Sequence, residues 1–356
     1  MALLVDRLRP RSLETLSYHR DLSQRLQALA SSADFPHTLF YGPSGAGKKT
    51  RILALLRALY GPGVEKIKID ARVFQPASSN RKLEFNIVQS VYHLEITPSD
   101  VGNHDRVVVQ ELLKEVAQTQ QIDLSARQRF KVVVINEADS LTRDAQAALR
   151  RTMEKYSANV RLILLANSTS PIIAPIRSRT LLLRVPAPTH AEISHVLADA
   201  TSREKLPNIP ALNDRIAVQC GRNLRRALLM LETVYAQNPE PKESTPIPAA
   251  DWEVLIGHVA DDIVAERSPK QILIVRAKLY DLLTHCIPPT MVIKTLCFRL
   301  TERVDDQLKP EIVRWAAFYE HRIKLGSKVI FHLEAYVAKV MRLYELFFAG
   351  MSLDFD

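Results

Sequence analysis

A glycine-rich segment near the amino terminus constrains the fold of this chain more than any other feature. Residues 38–41 (TLFY) have strand character, and residues 50–60 have the apolar spacing of a helix. Glycines between them would let backbone N–H groups point at phosphate oxygens, and the helix N-terminus would add positive potential. The segment predicts a phosphate-binding loop in an α/β fold, with a plain glycine turn as the alternative. Its residues are Gly42, Pro43, Ser44, Gly45, Ala46, Gly47, Lys48, Lys49 and Thr50.

Two positions that normally support a magnesium ion depart from the phosphate-loop pattern. Lys48 is placed to reach the β- and γ-phosphates, but the hydroxyl residue expected after it is replaced by Lys49, and a cation cannot ligate a cation. The strand of residues 132–135 ends in Asn136 and Glu137, where an Asp-Glu pair is expected. Asn136 brings no charge to offset Mg²⁺, whereas Glu137 keeps the carboxylate that polarises water. We therefore expect bound ATP or ADP, weakened magnesium support, and slow or absent hydrolysis.

Strand and helix patterns alternate through the first half of the chain. Apolar, β-branched runs predict strands at residues 38–41, 67–69, 131–135 and 161–166. Amphipathic spacing predicts helices at residues 50–60, 105–119 and 142–156. This alternation is typical of a parallel sheet covered by helices on both faces, so residues 1–185 are predicted to form an α/β domain.

The sequence changes character after residue 185. Prolines stop a strand there, and Thr189 followed by Glu192 is typical of a capping box at the start of a small helical unit. Residues 238–248 are rich in proline and polar residues, which indicates a linker. Beyond them, apolar residues recur at helical spacing with almost no strand signal. We predict a small helical domain and linker at 186–245 and an all-α domain at 246–356.

The positive charge of the chain lies in one segment. Residues 1–185 contain 27 Lys and Arg against 17 Asp and Glu, a net charge of +10, while the whole chain carries +9. Such an excess favours a polyanionic partner. No apolar run approaches the roughly 20 residues that span a bilayer, and the three cysteines show no C-x-x-C spacing. We expect a soluble intracellular protein with no membrane partner, no disulfide framework and no zinc site.

Four segments carry a family resemblance: residues 5–10 (VDRLRP), 48–50 (KKT), 148–154 (ALRRTME) and 176–179 (IRSR). With them, the chain resembles the AAA+ small subunits of replication factor C, the sliding-clamp loader of eukaryotes, over essentially its whole length. The KKT and NEAD (136–139) variants resemble one subunit class within that family. The resemblance implies an AAA+ nucleotide-binding domain with a parallel sheet, a helical lid and a helical collar.

The resemblance also implies nucleotide contacts outside the loop. In clamp loaders the N-terminal box borders the adenine pocket, which implies contacts from Val5, Arg9, Pro10 and Ser17. Asn167 occupies the sensor 1 position, where its amide would contact the γ-phosphate or orient water. Arg225 occupies the sensor 2 position and would bring positive charge from the lid.

One arginine is implied to act on a neighbouring subunit. In the Ser-Arg-Cys motif of the family, the arginine reaches the γ-phosphate of the nucleotide that the neighbouring subunit binds. This chain has Ser178, Arg179 and Thr180 at the positions of that motif. A planar, permanently charged guanidinium suits a developing phosphoryl charge. Arg179 is therefore expected to be an arginine finger in trans, with a surface arginine as the alternative.

A basic helix is the expected DNA contact. The family lines a central chamber with such helices, which implies backbone contacts from Arg143, Arg150, Arg151 and Lys155. Arg150 or Arg151 could instead pair with acidic residues at a subunit interface. Residues 107–117 resemble the helix that the family lays against the clamp, although their apolar stripe equally fits a core facing the sheet.

Three functional hypotheses follow. The favoured one is a non-hydrolysing subunit of a nuclear hetero-pentamer, whose partners are the other replication factor C subunits, alternative large subunits, the sliding clamp PCNA and primer–template DNA. The second is an ATPase active in its own right, against which Lys49 and Asn136 argue. The third is a purely structural collar subunit, for which Lys48→Ala would change nothing beyond stability.

Overall fold

The computed structural model describes residues 2–32, 34–74, 83–118, 130–157 and 159–349. Its contacts separate two compact units, Met1–Ile247 and Pro248–Asp356. The first unit contains the sheet and its helices, and the described part of the second is helical. The predicted boundary at residue 185, between the α/β domain and the lid, stays a prediction.

One seven-stranded sheet organises the first unit. Its strands are β1 Thr38–Tyr41, β2 Lys68–Phe74, β3 Leu83–Gln89, β4 His93–Ile96, β5 Lys131–Ile135, β6 Val160–Ala166 and β7 Leu181–Arg184. The order is β2-β3-β4-β5-β6-β1-β7. Strands β4, β5, β6, β1 and β7 are parallel, whereas β3 pairs antiparallel with both β2 and β4. The α/β class is confirmed, but the sheet is mixed where a parallel one was predicted, because an antiparallel hairpin extends one edge.

The central strands are buried on both faces. Strands β5 and β6 are nearly continuous runs of Val, Ile and Leu, and their side chains alternate between two apolar clusters. One cluster contains Val133, Ile135, Leu162 and Leu164, and the other contains Val132, Val134, Ile163 and Leu165. This burial holds β5 and β6 in place, and the functional loops begin at the carboxyl ends of these strands.

Helices cover both faces of the sheet. They are α1 Leu4–Arg7, α2 Arg20–Ser31, α3 Lys48–Tyr60, α4 Asp105–Gln118, α5 Arg143–Lys155 and α6 Ala174–Arg177, with 3-10 turns at Pro62–Glu65, Pro98–His104 and Ala138–Ser140. The predicted helix over 105–119 corresponds to α4, and Thr119 lies outside the described residues. The apolar stripe of α4 is buried against the sheet through Val108, Val109, Leu112 and Leu113. Of the two interpretations of that stripe, the core one therefore holds.

Three helices complete the first unit: α7 His190–Arg203, α8 Pro210–Gln219 and α9 Leu224–Gln237. The predicted capping box begins α7, since the Thr189 hydroxyl accepts from the Glu192 N–H at 3.3 Å and the Thr189 N–H donates to the Glu192 carboxylate at 2.7 Å. Buried residues of all three helices form one apolar cluster, including Ile193, Leu197, Ile216 and Leu231. The N-terminal helix α1 packs on α9, which places the N-terminal box beside this helical unit.

The second unit is a bundle, as its periodicity predicted. Its helices are α10 Asp251–Ala265, α11 Pro269–Thr284, α12 Pro289–Thr301, α13 Lys309–Leu325 and α14 Val329–Phe348. All five contribute buried residues to a single core, in which Tyr336 is fully enclosed. In the part of the chain that the structure describes, no helix combines the length and apolarity needed to cross a membrane.

Candidate nucleotide-binding site

The glycine-rich loop follows β1 directly and leads into α3. Gly45 and Gly47 have φ values of 76° and 85°, in the region that favours glycine. A Cβ at Gly45 would lie 1.7 Å from Asn223 Oδ1, and one at Gly47 would lie 2.1 Å from the Tyr18 hydroxyl oxygen. The loop is therefore shaped by neighbouring side chains as well as by its own turn, and its backbone is left open to a ligand on one side.

Lys48 is the first residue of α3 and turns back over the loop. Its ammonium donates to the Pro43 carbonyl at 3.0 Å and to Asn167 Oδ1 at 2.9 Å, and it also donates to the Gly42 carbonyl. Burial lowers the pKa of Lys48; the nearby Asp139 carboxylate opposes this shift, and the Arg225 charge adds a smaller lowering contribution. Lys48 is thus held at the loop, close to both predicted sensor residues.

Lys49 and Asn136 converge on one carboxylate that the sequence did not single out. Glu95 lies on β4, and its side chain is only 9% exposed. Its Oε1 atom accepts from the Lys49 ammonium and, at 2.8 Å, from the Asn136 amide. The same amide donates to the Thr97 hydroxyl at 3.2 Å. The two residues that depart from the magnesium-supporting pattern therefore donate to the same acceptor.

The residues that follow β5 and β6 complete the polar side of the site. Glu137 is exposed, has a φ of 49°, and accepts from the Ser99 hydroxyl at 2.9 Å. Asp139 accepts from the backbone N–H of Asn167 at 3.0 Å, so the sensor 1 position is tied to the end of β5. The other oxygen of Asp139 is buried and has no hydrogen-bond partner among the described residues.

A cavity of about 360 Å³ joins these groups with the N-terminal box and the three-helix unit. It is large enough for a small organic ligand, by the usual size of such pockets. The predicted nucleotide contacts that line it are Val5, Arg9, Pro10, Ser17, Ser44, Gly45, Gly47, Lys48, Lys49, Thr50, Asn167 and Arg225, together with Asn136 and Glu137. Gly42, Pro43 and Ala46 belong to the loop but do not line the cavity.

Several lining residues were missed by sequence reasoning. They include Leu8, Tyr18, Thr97, Asp139, Val196, Asp199 and Arg203. Asp139 stands in the NEAD segment and could have been found there. Leu8 lies in the N-terminal box of residues 5–10. The others lie in segments with no motif, so only the folded structure reveals them.

Arg179 lies at the surface, after α6, and does not line the cavity. One guanidinium nitrogen contacts Glu154 at 2.8 Å, and the other donates to the Pro175 carbonyl at 3.0 Å. Its side chain is 37% exposed. The position cannot serve the cavity of this chain, but it leaves the guanidinium accessible to another molecule.

The exposed face of α5 carries the predicted DNA contacts. Arg143, Arg150, Arg151 and Lys155 are all exposed, while Ala145, Leu149 and Met153 on the opposite face are buried. Arg150 pairs with Glu154 at 3.3 Å, one turn further along the helix. Thr142 caps the helix by accepting from the Ala145 N–H at 3.2 Å. The face carries a net positive charge. The helix begins after the carboxyl end of β5, and residues that follow β5 also line the cavity.

Comparison with solved structures identifies the class of fold. The Holliday junction branch migration motor RuvB of Thermotoga maritima matches with a TM-score of 0.51 and 15% identity, over 78% of this chain and 88% of that one. This likeness concerns the fold alone. A model described as RCF1/5-like, AAA+ ATPase lid domain matches residues 196–236, which include α8 and all but the last residue of α9. The fold and the phosphate loop thus define an AAA+ protein with a helical lid, as predicted.

Relatives along the whole chain identify the family. The chain is 70% identical to replication factor C subunit 5 of Neurospora crassa over 353 residues, covering 99% of this chain and 100% of that one. It is 52% identical to replication factor C subunit 3 of Homo sapiens over 348 residues, covering 98% and 97%. Models for DNA polymerase III, delta subunit, and for the replication factor C subunit 3 C-terminal domain match residues 18–189 and 252–348. The chain belongs to the replication factor C subunit 3/5 family, which confirms the resemblance seen in the sequence.

Proposed function

We propose that this subunit of the clamp loader binds ATP or ADP and hydrolyses it slowly or not at all. The phosphate loop and Lys48 hold the phosphates, Arg225 adds charge from the lid, and Val5, Arg9, Pro10 and Ser17 border the base and ribose. The observation that carries the proposal is the pairing of Lys49 and Asn136 with Glu95. A hydrolysing site supports magnesium from those two positions, and here both present N–H groups to a carboxylate.

Hydrolysis by the purified full-length chain tests this proposal. We expect the chain to bind radiolabelled ATP yet to turn it over far below about 1 s⁻¹, the low end of ordinary enzyme rates. Glu137→Gln should leave that residual rate unchanged, because Glu137 has no metal-bound phosphate to act on. Turnover at an ordinary ATPase rate, abolished by Glu137→Gln, would contradict the proposal and support an active ATPase.

We further propose that the chain acts inside a nuclear hetero-pentamer with the other replication factor C subunits. The exposed Arg179 supplies a guanidinium to the nucleotide of a neighbouring subunit, and alternative large subunits share the same small subunits. The complex would load the PCNA clamp onto primer–template DNA. The polar outer face of α4, which includes Glu111, Lys114 and Glu115, is the surface through which this chain would contact the clamp.

DNA binding is proposed for the basic face of α5. Four cationic side chains are exposed on 13 residues of helix, which suits contacts with phosphates and carries no sequence preference. Glu154 neutralises part of this charge through Arg150. Among the described residues, Arg143 and Arg151 form no ion pair with an acidic side chain, and they are the stronger candidates for phosphate contacts.

The salt dependence of DNA binding tests this face. In the assembled complex, Arg143→Ala and Arg151→Ala should each lower the slope of log K against log salt by about 1, because each lost phosphate contact releases about one counterion fewer. Fluorescence anisotropy over a salt series measures the slope. Lys270→Ala, an exposed cation on α11, is the matched control and should leave it unchanged. Equal slopes for all variants would place the DNA elsewhere.

A further inference from the structure

The carboxylate of Glu95 is the centre of a small polar network built from three separate elements. Lys49 comes from the first turn of α3, Asn136 from the end of β5, and Glu95 from β4. Two donors share the single oxygen Oε1 of Glu95. A degraded site would leave such groups unrelated to one another. Here the two residues that replace a hydroxyl and an acid are complementary to the same buried partner.

These residues do not fit a divalent cation. Magnesium prefers oxygen ligands and negative charge. Lys49 offers only N–H donors, and both N–H groups of the Asn136 amide are engaged, one with Glu95 at 2.8 Å and one with Thr97 at 3.2 Å. The carboxylate of Glu95 is already paired with an ammonium. Thr50 keeps a hydroxyl but lies about 100° further round the helix than Lys49.

Lys49 places one positive charge where the phosphate-loop pattern has a residue that ligates a metal. Its side chain is 43% exposed and lines the cavity, whereas Glu95 is almost fully buried. An ammonium has three donors in a compact group. The contact with Glu95 uses one of them and fixes the group at the cavity wall, which leaves donors for phosphate oxygens.

We infer that the Lys49 ammonium, held by Glu95 and Asn136, replaces the divalent cation, so that this site binds ATP or ADP without magnesium. The inference rests on the proposed nucleotide binding and deepens it. Glu95 and Asn136 are positioning residues in this arrangement. An aspartate at position 136 would set a second carboxylate against Glu95, so asparagine is the residue that the network requires while Lys49 is present.

The affinity of the purified full-length chain for ADP, with excess magnesium chloride or excess EDTA, tests the inference. Calorimetric dissociation constants of the natural sequence in the two buffers should agree within about threefold. Lys49→Ala should weaken binding by about tenfold or more in both buffers, the loss of one charged hydrogen bond to phosphate. Lys66→Ala, an exposed lysine of the same unit, is the matched control and should bind like the natural chain.

A double variant gives the sharpest contrast. Lys49→Ser with Asn136→Asp restores the hydroxyl and the acid next to Glu95, and its ADP affinity should fall by about tenfold or more in EDTA and recover with magnesium. Thermal unfolding checks that each variant is folded. The inference would be overturned if the natural chain bound ADP only in the presence of magnesium. It would also be overturned if a folded double variant bound ADP equally well with magnesium and with EDTA. Absence of binding in both buffers would instead overturn the proposed nucleotide site itself.

Discussion

Replacement of Arg179 by alanine is expected to slow ATP hydrolysis at the neighbouring site by about 10³-fold or more, since an arginine supplied in trans contributes about 10³–10⁵ in rate. The guanidinium is 37% exposed and anchored by Glu154 and the Pro175 carbonyl. It is accessible to another subunit while remaining oriented. Arg179→Lys should restore little, because an ammonium lacks the planar fork.

Single-turnover hydrolysis by the reconstituted complex measures this effect. The total ATPase rate of the complex should fall only by the fraction that the neighbouring site contributes, because Arg179 acts at that site. Clamp loading should fall as well. ADP binding by this chain should not change, because Arg179 lies outside its cavity. Arg177→Ala removes an exposed charge two residues earlier and serves as the control. Unchanged turnover in Arg179→Ala would remove the finger from the proposal.

Lys48→Ala is expected to weaken ATP or ADP binding by about 10-fold to 100-fold, since charged hydrogen bonds of this kind contribute about 1.5–3 kcal/mol. Lys48 is also the donor that closes the loop onto Gly42, Pro43 and Asn167. The variant should therefore lose some loop order as well as a phosphate ligand. Calorimetry on the full-length chain measures the affinity.

Thermal unfolding in the absence of nucleotide separates the two effects of Lys48→Ala. A small change in the unfolding temperature, combined with a large loss of affinity, is the expected result. Lys66→Ala should alter neither quantity. A variant with unchanged affinity, or a natural chain that binds no nucleotide, would favour the purely structural collar hypothesis.

The parts of the fold that sequence reasoning predicted are those with strong local signals. Continuous apolar runs identified β5 and β6, and the glycine loop located the junction between β1 and α3. The hairpin of β2 and β3 was largely missed: the prediction covered only residues 67–69, although the apolar alternation continues through Ala71 and Val73, and most of β2 is exposed. In β3, Phe85 and Ile87 are buried two residues apart, a short alternation that was present but easily overlooked.

The site divides in the same way. The loop residues and the two unusual positions, Lys49 and Asn136, could be found from spacing alone. Glu95 could not, because it lies 46 residues from Lys49 and 41 from Asn136. The pairing of β4 with β5 brings it to Asn136, and the first turn of α3 brings Lys49 to it. An acid inside the buried strand HLEI was the only signal, and a sequence cannot show which donor satisfies it.

The carboxylate of Glu154 affects how easily its two arginine partners can turn to a phosphate. A single oxygen of Glu154 contacts Arg150 at 3.3 Å and Arg179 at 2.8 Å. One negative charge cannot neutralise two guanidinium groups, so the trio keeps a net charge of +1. Either arginine can leave for a phosphate while the other stays on the carboxylate, so no acid is stranded without a partner. The free-energy cost of handing one arginine to an incoming anion is therefore small.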